Sequence, residues 1–309
     1  MEPKHRAIIP FKFLDCSLYL YPTVAAAQAG EHIGGSGCVV AVALHNDPDT
    51  DVATVYAVTN SHVVRSEQGG STVVRVNSKD GGFDALPLDP DSWIHHGDGA
   101  DIAVAPMTLD EGTHRYTSIG PWTFVTPEQP MWFGVGADTV MVGRFVTHEG
   151  RQRNIPAARF GNVSVLPYEP VRVGLGGLAQ ERFLVEEHSF SGYSGSPVFV
   201  YHQLLPEDVP TVDPDARALE QPPYLMGMAV KLLGINWGHL RDYEDVRQAD
   251  GTRTSEGLRV YRNTGMAAVV PAWKLHELLY DDDEVVAVRD KMERAWLDTH
   301  EDEAGRERG

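Results

Sequence analysis

Gly192-Tyr193-Ser194-Gly195-Ser196-Pro197, set between a segment ending near His188 and the apolar run Val198-Phe199-Val200, is the stretch on which the reading turns. A serine that attacks a carbonyl must sit on a tight turn beside free backbone N–H groups, because attack creates an oxyanion that needs donors at once. Gly192 can adopt a conformation closed to other residues and aim its N–H where the Ser194 N–H also points, while Gly195 lets the chain turn without steric cost. A plain hairpin with a Gly-Ser turn has the same composition, so the hexapeptide alone leaves both readings open.

A serine hydroxyl is a poor nucleophile until a neighbouring base takes its proton. Thr59-Asn60-Ser61-His62-Val63 supplies a histidine at the end of the apolar strand Thr54 to Val58, where an imidazole can face a cleft. Most of the 13 histidines lack such a setting; His95 and His96, in a Gly/Asp-rich loop, read as surface residues. The third member of a triad is a carboxylate that orients the base. Asp101-Ile102-Ala103-Val104 puts one directly before an apolar strand, although Asp is also an ordinary turn residue there. The order His62, Asp101, Ser194 is that of the chymotrypsin template and differs from that of subtilisin and the α/β-hydrolases.

Working outward, short Val-, Ile-, Tyr- and Thr-rich segments recur between Gly, Pro, Asp and Asn, the pattern of an all-β protein. Ser17 to Tyr21, Cys38 to Leu44, Thr54 to Thr59 and Thr72 to Val76 form one series. Asp138 to Val146, Arg159 to Leu166, Arg182 to Glu187, Pro197 to Tyr201, Met226 to Asn236 and Leu258 to Arg262 form another. Two β units are expected, divided near Thr113 to Pro130, which gives units over 1–118 and 119–271. After Pro271, Leu275, Leu278 and Leu279 fall at helical spacing, so 272–309 reads as a helical segment. Past the acidic run Asp281 to Glu284 comes a second amphipathic stretch with Val288, Met292 and Trp296, ending in a charged tail expected to fray.

Composition narrows the partners. With 309 residues, 42% of them hydrophobic, the chain can bury a sizeable core, and its formal charge of -18 repels phosphate backbones and anionic lipid alike. No nucleic-acid or membrane partner is expected, and no run approaches a membrane span. Two isolated thiols, Cys16 and Cys38, give neither a disulfide scaffold nor a zinc ligand set, and there is no HExxH helix, so no metal or organic cofactor is expected. Cysteine usage and an apolar N-terminal stretch stopped by Pro10 give a cytoplasmic location as the default, with a mature secreted form as the alternative.

The chain resembles the trypsin-like (chymotrypsin-clan) serine peptidases, particularly the bacterial disulfide-free branch related to the HtrA and glutamyl-endopeptidase groups. The resemblance is carried, in order, by Gly34-Gly35-Ser36-Gly37-Cys38-Val39-Val40, Val58 to Val63, Asp101 to Val104, Gly192 to Pro197, Asn236-Trp237-Gly238 and Asn263 to Pro271. It implies two six-stranded antiparallel Greek-key β-barrels with a C-terminal helix and an active site between them. By the same resemblance, Gly192 and Ser194 form the oxyanion hole, and Asn236, Trp237 and Gly238 pair with an extended polypeptide substrate. His188 and Ser189 match the pocket for the residue before the scissile bond. Departures are also visible. Tyr193 stands where animal members carry the Asp used in zymogen activation, and Val63 stands where many secreted members carry the partner of Cys38. Tyr201 to Leu225 and His239 to Gly257 read as long polar insertions. The function implied is peptide-bond hydrolysis through an acyl-enzyme, either constitutive or latent until a partner or loop ordering activates it; the alternative is a silent double-barrel scaffold.

Overall fold

The structure, a computed structural model, describes residues 11–32, 34–44, 52–65, 70–128, 133–144, 150–172, 179–187, 192–203, 224–225, 228–254 and 257–306. Its first sheet comprises β1 (Ser17–Tyr21), β2 (Gly35–Ala43), β3 (Ala53–Thr59), β4 (Val73–Ser78), β5 (Phe83–Pro87), β6 (Ile94–His95), β7 (Ala103–Pro106) and β8 (His114–Arg115). The order is β5-β4-β1-β2-β3-β7-β6, with β8 on β4. β1 to β4 fall on the expected segments and β7 on the apolar run after Asp101, while β5, β6 and β8 lie outside the segments expected. Short helix α1 (Phe11–Leu14) precedes β1, and α2 (Val24–Ala29) and α3 (Ser61–Val64) lie between strands.

β2 shows why such residues make a strand. Val39 joins Leu18, Leu20 and Ala57 in one cluster, while Cys38, Val40 and Val42 join Tyr56 and Val58 in another. Successive side chains leave a strand on opposite faces, so a near-continuous apolar run is a strand covered on both sides.

The second sheet comprises β9 (Asp138–Arg144), β10 (Pro156–Val165), β13 (Phe183–Glu186), β14 (Pro197–Gln203), β15 (Tyr224–Leu225), β16 (Met228–Asp245) and β17 (Arg259–Pro271); β11 (Val171–Arg172) and β12 (Ala179–Gln180) pair separately. Pairing of β14 with both β9 and β16 closes a six-stranded antiparallel barrel. Met141, Val163, Phe183, Tyr193, Val198 and Leu233 fill it. Truncating a buried Leu such as Leu233 to Ala costs about 2–5 kcal/mol. The connection between the sheets touches both, bridging Ile119 to Val40 and Phe124 to Leu232.

The cluster on the Cys38 face of β2 also joins the units. Cys38, Val40 and Val58 from the first meet Val140, Phe199 and Ile235 from the second and Leu275, Leu278 and Leu279 of α4 (Ala272–Tyr280). Those three leucines carry the helical spacing seen in the sequence. Asp282 then accepts hydrogen bonds from the Glu284 and Val285 N–H groups, capping α5 (Asp283–Arg306). The tail expected to fray is therefore helical as far as Arg306.

Another expectation changes. His239 to Gly257, read as a polar insertion, is largely a hairpin extension, because β16 runs to Asp245 and pairs with β17 from Arg259. Residues 204–223 of the other insertion lie outside the described residues. Among the described residues no helix is long and apolar enough to cross a membrane.

Candidate active site

His62 sits on the single turn of α3 that follows β3, and Asp101 lies two residues before β7, the neighbour of β3. Pairing of those strands brings the two together. Asp101 Oδ1 accepts from the His62 backbone N–H at 2.9 Å, and its Oδ2 lies 2.6 Å from His62 Nδ1. Asn60 Nδ2 donates to the Asp101 carbonyl at 2.8 Å, and Ser61 Oγ donates to the Ile102 carbonyl at 2.9 Å, fixing the loop from both sides. Burial raises the Asp101 pKa, but the hydrogen bonds and charge of His62, with Arg182 nearby, outweigh it and the carboxyl is lowered below its ordinary range. The ring of His62 remains 45% exposed, which leaves its far edge accessible.

Ser194 comes from the second unit. Gly192 and Gly195 have φ of 92° and 88°, and a Cβ on Gly195 would lie 1.9 Å from the Ser36 carbonyl oxygen, so glycine is required there. The turn is pinned by Ser36 N–H to the Ser194 carbonyl at 2.8 Å, Gly195 N–H to the Asn236 carbonyl at 2.9 Å, and Asn236 Nδ2 to the Tyr193 carbonyl at 2.9 Å. Asn236 is thus a fully buried clamp on the turn. Neither the Gly192 nor the Ser194 N–H donates to a backbone carbonyl among the described residues.

The serine hydroxyl points elsewhere. Ser194 Oγ donates to the Trp237 carbonyl at 3.0 Å, and no hydrogen bond joins it to His62 among the described residues. A register shift explains the carbonyl's position: Asn236 pairs with Val269 and Gly238 with Ala268, so Trp237 is the extra residue of a bulge, and a bulge re-aims its residue. The Trp237 ring stands edge-on to His62 at 6.2 Å, and the Arg182 guanidinium covers it at 5.0 Å. Arg182 is only 5% exposed; burial lowers its pKa, against the pull of Asp101. Trp237 and Gly238 therefore lie against the hydroxyl of the half-buried Ser194.

Behind the turn lies Glu187, 2% exposed, with neither carboxylate oxygen partnered among the described residues. Burial pushes its pKa up to about 8 against the opposing charge of Arg159, whose guanidinium lies 4.7 Å from the centre of the Tyr193 ring. Tyr193 is fully buried in the barrel. His188 and Ser189, the expected pocket residues, lie outside the described residues.

His95 and His96 are not the surface residues expected. His95 Nδ1 lies 2.9 Å from Ser61 Oγ, and burial, with Arg65 nearby, lowers its pKa to about 4. The His96 side chain is 8% exposed and lies against Asp98 and Glu277. These three groups could each offer a metal ligand atom, but Lys274 Nζ is 2.9 Å from Asp98 and 2.8 Å from Glu277 and supplies the cation. The cluster ties α4 to the loop that ends in Asp101. Sequence reasoning missed Arg182, Glu187 and this tether. Only Glu187 left a signal: with Phe183 and Val185 it falls on the buried face of an alternating stretch.

No family model matches the chain, and no curated protein matches it. Among solved structures it is similar to the crystal structure of the MamO protease domain from Magnetospirillum magneticum in its apo form, at 14% identity over 86% of this chain and 97% of that one, with a TM-score of 0.45. It is also similar to the crystal structure of Rv3671c protease in an inactive form, at 16% identity over 87% of this chain and 89% of that one, with a TM-score of 0.42. Both are protease structures.

Proposed function

We propose that the chain is a serine endopeptidase that rests in a closed form. The observation that carries the reading is the His62–Asp101 pair, held by two hydrogen bonds beside Trp237, whose carbonyl meets the hydroxyl of a serine on a turn set by Gly192 and Gly195 at positive φ. In the open form Ser194 Oγ leaves the Trp237 carbonyl, and Trp237 and Gly238 withdraw to offer backbone groups to an extended polypeptide. Ser194 Oγ attacks the carbonyl carbon while His62 Nε2 takes its proton, and Asp101 stabilises the imidazolium. The Gly192 and Ser194 N–H groups hold the oxyanion. Collapse of the tetrahedral intermediate breaks the C–N bond, His62 protonates the leaving amine, and water repeats the sequence on the acyl-enzyme.

The second reading, a silent scaffold, is favoured by the one observation that Ser194 Oγ is bonded to Trp237 and not to His62. A fluorophosphonate probe separates the two. Labelling lost in both Ser194→Ala and His62→Ala supports the peptidase; a folded wild type that stays unlabelled alone and with unfolded polypeptide supports the scaffold.

A further inference from the structure

A cleft of about 320 Å³ opens on the second unit where α4 meets the connection between the sheets. Its size is near the lower end of small-molecule sites, about 300–1,000 Å³, so it suits one side chain rather than a folded surface. Its wall is aromatic: Phe183 stands edge-on to Trp273 at 5.4 Å and tilts against Phe133 at 5.9 Å. Tyr168 lines the cleft with 79% of its surface exposed.

The polar groups of the cleft have one dominant sign. Glu181 Oε2 accepts from Trp273 Nε1 at 3.2 Å, which holds the carboxylate at the edge of the indole. Glu181 is exposed, and no Lys or Arg pairs with it among the described residues. The lining cation, Lys274, is already shared between Glu277 and Asp98, whose combined charge exceeds its own. An anion entering the cleft would meet uncompensated negative charge, and a purely apolar group would desolvate Glu181 without giving it a partner. A cation on an apolar stem meets both demands. Its methylenes cover the rings, and its head reaches the Trp273 face and the Glu181 carboxylate together.

We propose that this cleft is a binding subsite for a basic side chain, arginine before lysine, of a polypeptide partner or substrate. Arginine is preferred because its planar guanidinium stacks on an indole and pairs with a carboxylate in one pose. The proposal does not depend on Ser194 being competent.

The test uses the full chain carrying Ser194→Ala, with side-chain indole N–H resonances recorded during titration and the Trp273 signal assigned by its loss in Trp273→Phe. The probes are N-acetyl-arginine amide, N-acetyl-lysine amide, N-acetyl-leucine amide and N-acetyl-glutamate amide. The expected result is a saturable shift of the Trp273 signal, strongest with the arginine probe, and at least fivefold weaker binding in Glu181→Gln while the other indole signals keep their positions. Equal binding of the leucine probe, preference for the glutamate probe, no saturable shift, or undiminished affinity in Glu181→Gln would each overturn the proposal. Because turnover is not read, a failure here leaves the peptidase reading intact, and an unreactive wild type leaves this subsite intact.

Discussion

The two halves of the candidate active site are finished to different degrees. On the first unit, Asp101 spends both carboxylate oxygens on His62, and the loops on either side are fixed by Asn60 and Ser61. On the second unit the hydroxyl of Ser194 is spent on the carbonyl of Trp237, and the carboxylate behind its turn, Glu187, has no partner among the described residues. On the proposed reading, a base already oriented and a nucleophile turned aside make one half of the site permanent and the other conditional.

The largest effect expected separates the halves by their chemistry. Ser194→Ala or His62→Ala should lower kcat by about 10⁶, and Asp101→Asn by about 10⁴ because the wrong imidazole tautomer is then favoured. Near-normal turnover in folded Asp101→Asn would mean that the permanent half is not the catalytic one.

Glu187 tests the conditional half through stability. Its pKa is raised in the folded protein to about 8 from an ordinary 4.5, so the unfolded chain loses its proton first and stability falls as pH rises between those values. His95, lowered to about 4 from 6.5, acts in the opposite sense and only below pH 6.5, because the folded state there resists charging. Between about pH 6.5 and 8 the Glu187 contribution therefore stands alone of these two, with a loss of about 2 kcal/mol. Thermal melts at both pH values should show that loss in the wild type and not in Glu187→Gln. Parallel behaviour of the two proteins would show that the buried carboxylate is compensated.

A smaller change should follow Arg182→Met. Removing the cation from the Trp237 face withdraws a contact worth about 1–2 kcal/mol when desolvated. Fluorophosphonate labelling should accelerate by up to about tenfold as Trp237 is released. Slower labelling would reassign Arg182 to support of Asp101 alone. The smallest effect is expected from His95→Phe, which loses the bond to Ser61 at a cost of about 1 kcal/mol in chemical denaturation while leaving the His62–Asp101 pair in place.

Much of the permanent half was legible in the sequence, and little of the conditional half was. His62 and Asp101 stand at ends of apolar runs whose strands pair, so local pattern and chain order were sufficient. The Trp237 bulge depends on register against Val269 and Ala268, which no local pattern encodes. Arg182 looks like any charged residue before a strand, and its place over Trp237 arises only on barrel closure. The hairpin extension was read as a loop because Arg241, Asp242, Glu244 and Asp245 put polar residues on both faces, erasing the alternation that marks a half-buried strand. His96 and Asp98 acquire their partners from α4, nearly two hundred positions along the chain.

The two cysteines give the molecule a clock. Cys16 and Cys38 are free, fully enclosed thiols in the cluster where both units and α4 meet, and burial raises the pKa of each. A thiol in that state does not react until it is uncovered and ionised. The pace at which a small alkylating reagent captures them from the native protein thus counts excursions in which the seam between the two units parts. Anything that holds the units together, a partner included, would slow that pace without touching either sulfur.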